Sequence, residues 1–487
     1  MKYFISGKNN RLTEQELIQL HLRVESAIQE SNELIKSMSV WGRSGSKWRL
    51  NPKGDYDFTT IWMVRLLYEF GHEDEILFPE TRDYLVNTLL DSGGKPDLYV
   101  PLSLGMVFDT ENHLLMREGT RYLKNQWKKT HGSEAARYDN HRNGMERWMV
   151  RYLNAIRVNG LYEYNSMPYT TYTVLPLLNL ADYAQSPEVR ILAVSILDNI
   201  ILRYAYGSLE WKQCTSFRRQ TRYANSNRLD LNPIDLPLQL WAGLEYSHSQ
   251  LQDERGPMLL AAVFSGYTPA QESMDILLHK PNEYYAIFEH LQRGAPELYS
   301  GSAHYLLSAG GAYQRFSGVI SRPITLLLPG QGDCLTDTIR IEGIGDWRTW
   351  NMTGIHQRFA VAKGNVIIPE QFNVSLSFNQ WTVFNATEHI TAAVYQADEF
   401  GLMALFSEIA CLDKLKQSLN ETNPISPKKK AFVWPENMGP LGIEIIKFNT
   451  DASNRNPVIV SVNNGPVRQL MTRYWQQWPL AYLRFAE

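Results

Sequence analysis

The stretch Ser308–Leu328, SAGGAYQRFSGVISRPITLLL, divides the sequence into two parts with different patterns. Before it, apolar residues recur at intervals of three and four, as they do on one face of an amphipathic helix. After it, short runs of β-branched and aromatic residues are separated by Gly, Asn, Asp and Pro, which is typical of antiparallel strands. Because helices come first and strands second, the sequence predicts segregated α and β parts rather than an alternating β-α-β fold.

The helical pattern extends to about residue 310 and consists of segments that end at polar, Gly or Pro residues. The predicted helices are 13–38, 59–70, 81–90, 111–127, 145–158, 174–184, 189–206, 233–244, 256–264 and 273–278. The predicted strands are 324–328, 338–342, 359–362, 365–368, 390–395, 402–409, 443–448 and 458–462. Short strands at this spacing are typical of a β-sandwich. We therefore expect a multidomain protein with a helical domain at 1–310 and an antiparallel β-sandwich domain at 311–487.

The composition is that of an ordinary soluble globular protein, with 44% hydrophobic and 20% charged residues among 487. The net charge of −3 argues against a dedicated nucleic-acid-binding protein, which usually has a basic excess. No stretch of about 18 apolar residues is present, so we expect no membrane-spanning helix. Three scattered cysteines, Cys214, Cys334 and Cys411, predict neither a disulfide framework nor a metal site. The start MKYFISGKNN lacks the apolar run of a secretory signal, so we expect a cytoplasmic protein or one exported without a recognisable signal.

The segment Asp109–Met116, DTENHLLM, is predicted to begin a helix, because its first two residues are good helix caps. Asn112 and His113 would then lie in the first turn. The free backbone N–H groups and the positive dipole end there favour an anion such as a carboxylate and disfavour a protonated imidazole. His113 would be neutral and able to accept a proton, and Arg117 follows one turn later. The alternative is a capped helix with a buried, hydrogen-bonded histidine.

A second group of candidates lies in the segment 159–172, NGLYEYNSMPYTTY. The Asn-Gly pair at its start and the Ser-x-Pro sequence in its middle indicate a loop that joins two helices. Loops held on rigid helices often carry catalytic groups, and a tyrosine can transfer a proton where cations lower its pKa. The candidates are Glu163, Tyr164, Asn165, Tyr169 and Tyr172. The alternative is an aromatic-rich loop that packs on its neighbours.

The segment 217–228, FRRQTRYANSNR, contains four arginines, among them Arg219 and Arg222. A guanidinium fork can bind a carboxylate or a sulfate through two hydrogen bonds, so this segment is a candidate anion-binding site. The alternative is a solvated surface loop. The chain contains no nucleophile elbow, no H-E-x-x-H zinc motif, no P-loop and no dinucleotide fingerprint.

Taken together, these segments resemble those of the α/α-toroid polysaccharide lyases, which include alginate lyase, chondroitin AC lyase and heparinase II/III-like proteins. The segments that carry the resemblance are GDYDF at 54–58, FDTENHLLM at 108–116, YLKNQ at 122–126 and EYNS at 163–166. They are similar to segments of uncharacterised bacterial members of the superfamily. The resemblance implies an incomplete α/α toroid of helical hairpins followed by the β-sandwich, with no metal and no cofactor.

In such lyases an amide or an arginine neutralises a uronate carboxylate, a His or Tyr removes the C5 proton, and a Tyr protonates the leaving oxygen. The resemblance implies that Asn112 is the neutraliser, that His113 is the base or its partner, and that Tyr169 or Tyr172 is the acid. The implied substrate contacts are Glu111, Arg117, Glu163, Tyr164, Asn165, Arg219 and Arg222. The expected partner is an acidic polysaccharide or oligosaccharide.

Two other functions stay open at this point. A glycoside hydrolase on the same fold would use Asp109 or Glu111 together with Glu163 as its acid and base. A non-catalytic carbohydrate-binding or host-interaction protein would have the same fold without the catalytic activity. Glu111 is also a departure from the lyases, which often have Asn or Trp there, because an unpaired carboxylate would repel an acidic sugar.

Overall fold

The structure is a computed structural model. It describes residues 14–41, 54–99, 104, 106, 109–161, 163–215, 228–245, 255–290, 294–310, 323–343, 353–398, 400–407, 409, 411–423, 430–440, 442–449 and 458–466. The chain forms two compact units, the first from residues 1–107 and 116–145 and the second from residues 108–115 and 146–487. The division at residue 310 that the sequence suggested stays a prediction.

The first unit is helical in its described part. Its helices are α1 (Glu14–Ser37), α2 (Asp57–Phe70), α3 (Pro79–Tyr84) with a π-helical turn (Leu85–Leu89), most of α4 (Glu111–Thr130) and a 3₁₀ turn (Ala136–Tyr138). Asn32 on α1 is buried, donates to the Ile76 carbonyl (2.9 Å) and accepts from the Phe78 N–H (3.0 Å). Because a buried amide needs partners, these bonds fix α1 against the chain that leads into α3.

The helices of the second unit begin with α5, whose residues Met149, Leu153 and Ile156 are buried at helical spacing. The helices are α5 (Met145–Asn159), α6 (Met167–Tyr183), α7 (Pro187–Gly207), α8 (Asp235–Trp241), α9 (Gly256–Phe264) and α10 (Gln271–Leu278). The helix predicted to begin at residue 174 begins at Met167 and continues through Pro176. Among the helices that the structure describes, none combines the length and apolarity needed to cross a membrane.

The strands form antiparallel sheets. The strands of the hairpin and of the first sheet are β1 (Ser208–Leu209), β2 (Lys212–Gln213), β3 (Tyr284–His290), β4 (Gly294–Gly301), β5 (Leu306–Ala309), β6 (Ile324–Leu327), β7 (Ile339–Gly343) and β10 (Gly364–Ile367). Those of the second sheet are β8 (Thr353–His356), β9 (Phe359–Ala362), β11 (Leu376–Phe378), β12 (Trp381–Asn385), β13 (Ile390–Gln396) and β14 (Gly401–Ser407). Those of the third are β15 (Ala431–Val433), β16 (Ile445–Phe448), β17 (Ile459–Val462) and β18 (Gly465–Pro466). The strand orders are 10-7-6-5-4-3, 11-12-13-14-9-8 and 15-16-17-18.

The second sheet has an apolar cluster on each face. Leu405 of β14 belongs to a cluster that also contains Leu307 and Ile339 of the first sheet. Phe406, the next residue along β14, belongs to a different cluster with Ile446 of the third sheet and with residues of the helix α11 (Leu412–Thr422). Successive side chains of a strand point to opposite faces, so β14 is buried on both. Because both of its faces are apolar, this strand appears in the sequence as a continuous apolar run.

The expected helical pattern up to residue 310 is wrong in its last part, because β3, β4 and β5 occupy 284–309. Both faces of β3 are apolar: Tyr285 packs against one cluster, and Tyr284 and Phe288 pack against another. Without a polar face, the strand lacks the alternation by which strands are recognised.

Replacing Leu405 by Ala should lower the free energy of unfolding of the second unit by about 2–5 kcal/mol, because the cavity left between two packed sheets cannot collapse fully. Leu405 has no exposed surface. The matched variant Val460→Ala on β17, where 41% of the residue is exposed, should cost less than about 1 kcal/mol. Denaturant unfolding followed by circular dichroism measures both, and equal losses would contradict the packing described above.

Candidate functional site

A cavity in the second unit opens beside the loop that joins α5 to α6. The centre of a water molecule can occupy about 40 Å³ inside the cavity. The surrounding depression, which includes open solvent, has a volume of about 630 Å³. Since one water needs roughly 10–15 Å³ of such space, the inner part holds a few waters or one polar substituent of a ligand. The polar residues in its lining include Arg157, Glu163, Asn165, Asn199, Arg203 and Tyr204.

Local turn chemistry forms the loop. Gly160 follows α5 with a left-handed φ of +75°, and its N–H donates to the Ile156 carbonyl (2.8 Å), as glycine does after many helices. Asn165 is also left-handed, with a φ of +50°, a conformation that Asn tolerates better than most residues. Ser166 then precedes α6. The predicted loop between two helices is therefore confirmed, and Tyr164 lines the cavity beside Glu163 and Asn165.

Hydrogen bonds from the first turn of α4 hold one side of the loop. Glu111, Asn112 and Glu163 are each at most 2% exposed. The Asn112 side-chain amide donates to the Glu163 carboxylate (2.8 Å), and the Glu163 backbone N–H donates to the Glu111 carboxylate (2.5 Å). The Tyr152 hydroxyl donates to the Glu111 carbonyl (2.8 Å). Asn112 thus binds Glu163, and of these two residues only Glu163 contributes to the described lining of the cavity.

Glu297 of β4 holds the other side of the loop. Its buried carboxylate accepts from the Arg203 guanidinium on α7 (2.7 Å), from the Asn165 amide (2.6 Å) and from the Tyr299 hydroxyl. Asn199 on α7 also accepts from Arg203 (2.8 Å). A carboxylate removed from water requires such partners, because its desolvation is costly. The same bonds fix Arg203 and Asn165 in the wall of the cavity.

A second buried carboxylate, Asp235, is bonded to Tyr204. Tyr204 donates to Asp235 (2.5 Å), the Asn232 N–H donates to it (2.9 Å), and Arg255 lies 3.5 Å from it. Burial raises the pKa of Asp235 to about 8. Burial, reinforced by Asp235, raises the pKa of the Tyr204 hydroxyl well above its ordinary value. Tyr204 therefore stays protonated at neutral pH and does not act as a titrating base.

Arg157 is the exposed cation of the cavity. It lies in the last turn of α5, and its Nε and Nη2 donate to Asn154 (3.2 and 3.0 Å). In the described part of the chain no carboxylate forms an ion pair with it. An exposed guanidinium beside a cavity can bind a carboxylate through two parallel hydrogen bonds. The cavity can therefore receive an anionic group at Arg157.

The other three predicted catalytic residues, like Asn112, are not part of the described cavity lining. His113 lies half-buried in the first turn of α4. Tyr169 and Tyr172 lie half-buried on α6, and their ring centroids are 6.4 Å apart. None of these three residues belongs to the described lining of the cavity, to which Glu163 belongs. Their catalytic roles stay predictions.

The predicted arginines fall into two groups. Arg117 belongs to the first unit, where its guanidinium donates to the buried Glu118 carboxylate (2.8 Å) and to the Asp97 carbonyl. Burial raises the pKa of Glu118, while Arg121 and Arg117 act to lower it. The other two predicted arginines, at positions 219 and 222, lie outside the described residues.

Sequence reasoning missed Arg157, Arg203 and Glu297. For Arg203 a signal was present: it lies one turn after Asn199 in the largely apolar segment ILAVSILDNIILRYAYG of α7. A charge on an apolar helix face needs a buried partner, so the segment predicts one without identifying it. Glu297 had no such signal, because its strand lies in the stretch that was predicted to be helical.

Replacing Asp235 by Asn should flatten the pH dependence of stability. With a folded pKa of about 8 and an ordinary value near 3.9, the folded state holds a proton that the unfolded chain has lost between these limits. Stability therefore falls as the pH rises through this range, by up to about 1.4 kcal/mol per pH unit. Denaturant unfolding at several pH values measures the slope. The exposed control variant Asp275→Asn should follow the wild type, and a wild-type slope in Asp235→Asn would contradict the assignment.

The comparisons with known proteins identify no family for this chain: no family model, no curated protein and no solved structure matches it.

Proposed function

We propose that the chain binds an acidic sugar of an oligosaccharide or polysaccharide at this cavity and cleaves beside it by β-elimination. The observation that carries the proposal is the presence of the exposed Arg157 and the buried Glu163 in the lining of one small cavity. Arg157 binds the sugar carboxylate, and Glu163 accepts the proton. The resemblance to polysaccharide lyases supports the same reaction.

The size of the cavity decides which part of the substrate enters. An inner space of about 40 Å³ admits a carboxylate and excludes a whole sugar ring. The ring therefore stays at the mouth, with C5 beside the buried polar groups. Pairing with Arg157 neutralises the carboxylate and stabilises the charge that develops on it, which makes the C5 proton more acidic.

In the elimination step, the C5–H bond breaks and Glu163 takes the proton. The electron pair forms the C4=C5 double bond while the C4–O bond breaks. The leaving oxygen takes a proton from a phenol, which we assign to Tyr164 because it lines the cavity. Tyr169 and Tyr172 are the alternative acids that the lyase resemblance implies.

The carboxylate of Glu163, like that of Glu111, would repel an acidic substrate if its negative charge were not offset. Arg157 lines the same cavity, and its positive charge offsets that of Glu163. Asn112 donates to the Glu163 carboxylate (2.8 Å), which orients it without contacting the substrate. Asn112 is therefore a positioning residue in this proposal, whereas the resemblance implies that it contacts the uronate.

We also propose the finer architecture that the resemblance implies. The successive helices α5, α6 and α7 would belong to an incomplete α/α toroid of helical hairpins. The two six-stranded sheets would form the β-sandwich. The apolar cluster that both sheets share supports the second assignment.

Hydrolysis is the second candidate function, and one observation favours it. The Glu163 N–H donates to the Glu111 carboxylate (2.5 Å), so two carboxyl-bearing residues belong to one hydrogen-bonded unit beside the cavity. A hydrolase uses two carboxyl groups as acid and base. The products separate the reactions, because only elimination forms an unsaturated uronate.

The full chain incubated with alginate, chondroitin sulfate and heparin should produce ultraviolet absorbance of an unsaturated uronate together with new reducing ends. Glu163→Gln should lower the rate by roughly 10²–10⁴, the usual effect of removing a catalytic base. The control Glu188→Gln changes an exposed carboxylate on α7 and should leave the rate unchanged.

Three outcomes would contradict the proposal. Reducing ends without absorbance would show hydrolysis. No product from any polymer, despite binding, would show a carbohydrate-binding protein. Loss of activity in His113→Ala or Tyr169→Phe, with activity kept in Glu163→Gln, would show that catalysis depends on the residues that the resemblance implies and not on Glu163.

A further inference from the structure

A second and larger concave site lies where the three sheets contribute to one groove. Its volume is about 590 Å³, within the range of roughly 300–1,000 Å³ that is typical of small-ligand sites. Its described lining comes from the start of β3, the β8–β9 turn, the end of β14 and the chain between β15 and β16. It shares no lining residue with the cavity described above.

A preorganised polar pair lies in this groove. The Arg358 Nε donates to the Glu283 carboxylate (2.9 Å), and its Nη1 donates to the Ser407 hydroxyl (2.8 Å). The other oxygen of Glu283 accepts from the Tyr305 hydroxyl (3.1 Å). Because both partners are held from the protein side, the pair presents donors and acceptors in fixed positions.

Two amide side chains complete the polar lining. Gln357 and Asn437 have left-handed φ values of +46° and +60°. Gln357 is the first of the two residues that connect β8 to β9, a position where Gly is favoured with a positive φ. Within the described residues neither side-chain amide has a hydrogen-bond partner. Non-glycine residues held at a positive φ are often found at ligand-binding sites.

We propose that this groove binds an uncharged oligosaccharide segment. Glu283 and Arg358 are the only charged residues in its described lining, and they pair with each other. Among the described lining residues there is therefore no unpaired charge that would attract an ionic ligand. Amides, hydroxyls and the ion pair offer donors and acceptors together, which matches sugar hydroxyls, and Tyr285 supplies a flat apolar face. The site is independent of the proposed cleavage at the cavity.

Calorimetric titration of the full chain with cellohexaose, xylohexaose and mannohexaose tests the proposal. At least one of these neutral sugars should bind saturably. Gln357→Gly and Asn437→Gly should each weaken binding roughly five- to tenfold, since each removes about one hydrogen bond, and the double variant should bind more weakly than either. Because Gly adopts a positive φ without strain, neither variant should unfold the chain.

The matched control is Asn464→Gly, which makes the same change at a φ of +64° in the β17–β18 turn, outside the groove. It should bind like the wild type. The proposal is overturned if no hexasaccharide binds, if the double variant binds like the wild type, or if binding is lost only in Arg157→Ala. Binding of an uncharged Thr/Val decapeptide in place of any sugar would make the groove a peptide site and overturn it as well.

Discussion

The buried carboxylate of Glu297 is the constraint on which the rest of the candidate site depends. A strand of the first sheet carries it, and its partners come from a helix and a loop, through Arg203 and Asn165. Because a buried charge without partners costs several kcal/mol, roughly 3–5 when one partner is removed, the three elements keep their positions together. The loop then carries Glu163 into the cavity wall, where Asn112 fixes its carboxylate from the other side.

The two concave sites differ in the property that decides what they bind. The cavity is narrow and has an exposed cation, Arg157, so it suits one anionic substituent. The groove is wide, and the two charged residues of its described lining, Glu283 and Arg358, pair with each other. A heteropolysaccharide contains both acidic and neutral sugar units. Its acidic group would suit the cavity, and its neutral units would suit the groove. Under the two proposals, such a polymer contacts the chain at two places.

Local patterns predicted much of the fold, because helix and strand periodicities and turn residues act over a few positions. The bounds of Gly256–Phe264 and Phe359–Ala362 are as predicted, and turn chemistry located the loop that carries Glu163. Long-range partners were not predictable in this way. Arg203 and Glu297 are 94 positions apart, and the local sequence around one of them does not identify the other as its partner. The early strands were missed for a related reason, since apolar residues on both faces remove the alternation by which a strand is recognised.

Hydrogen exchange of the loop amides in Glu297→Gln shows whether the Glu297 carboxylate holds the loop in place. The Glu163 and Asn165 amides should exchange roughly ten to a hundred times faster than in the wild type, because a charge-assisted bond contributes about 1.5–3 kcal/mol. The control Glu342→Gln, which breaks an ion pair on β7, should leave these amides unchanged. Wild-type exchange of the loop in the Glu297→Gln variant would show that Glu297 does not hold the loop.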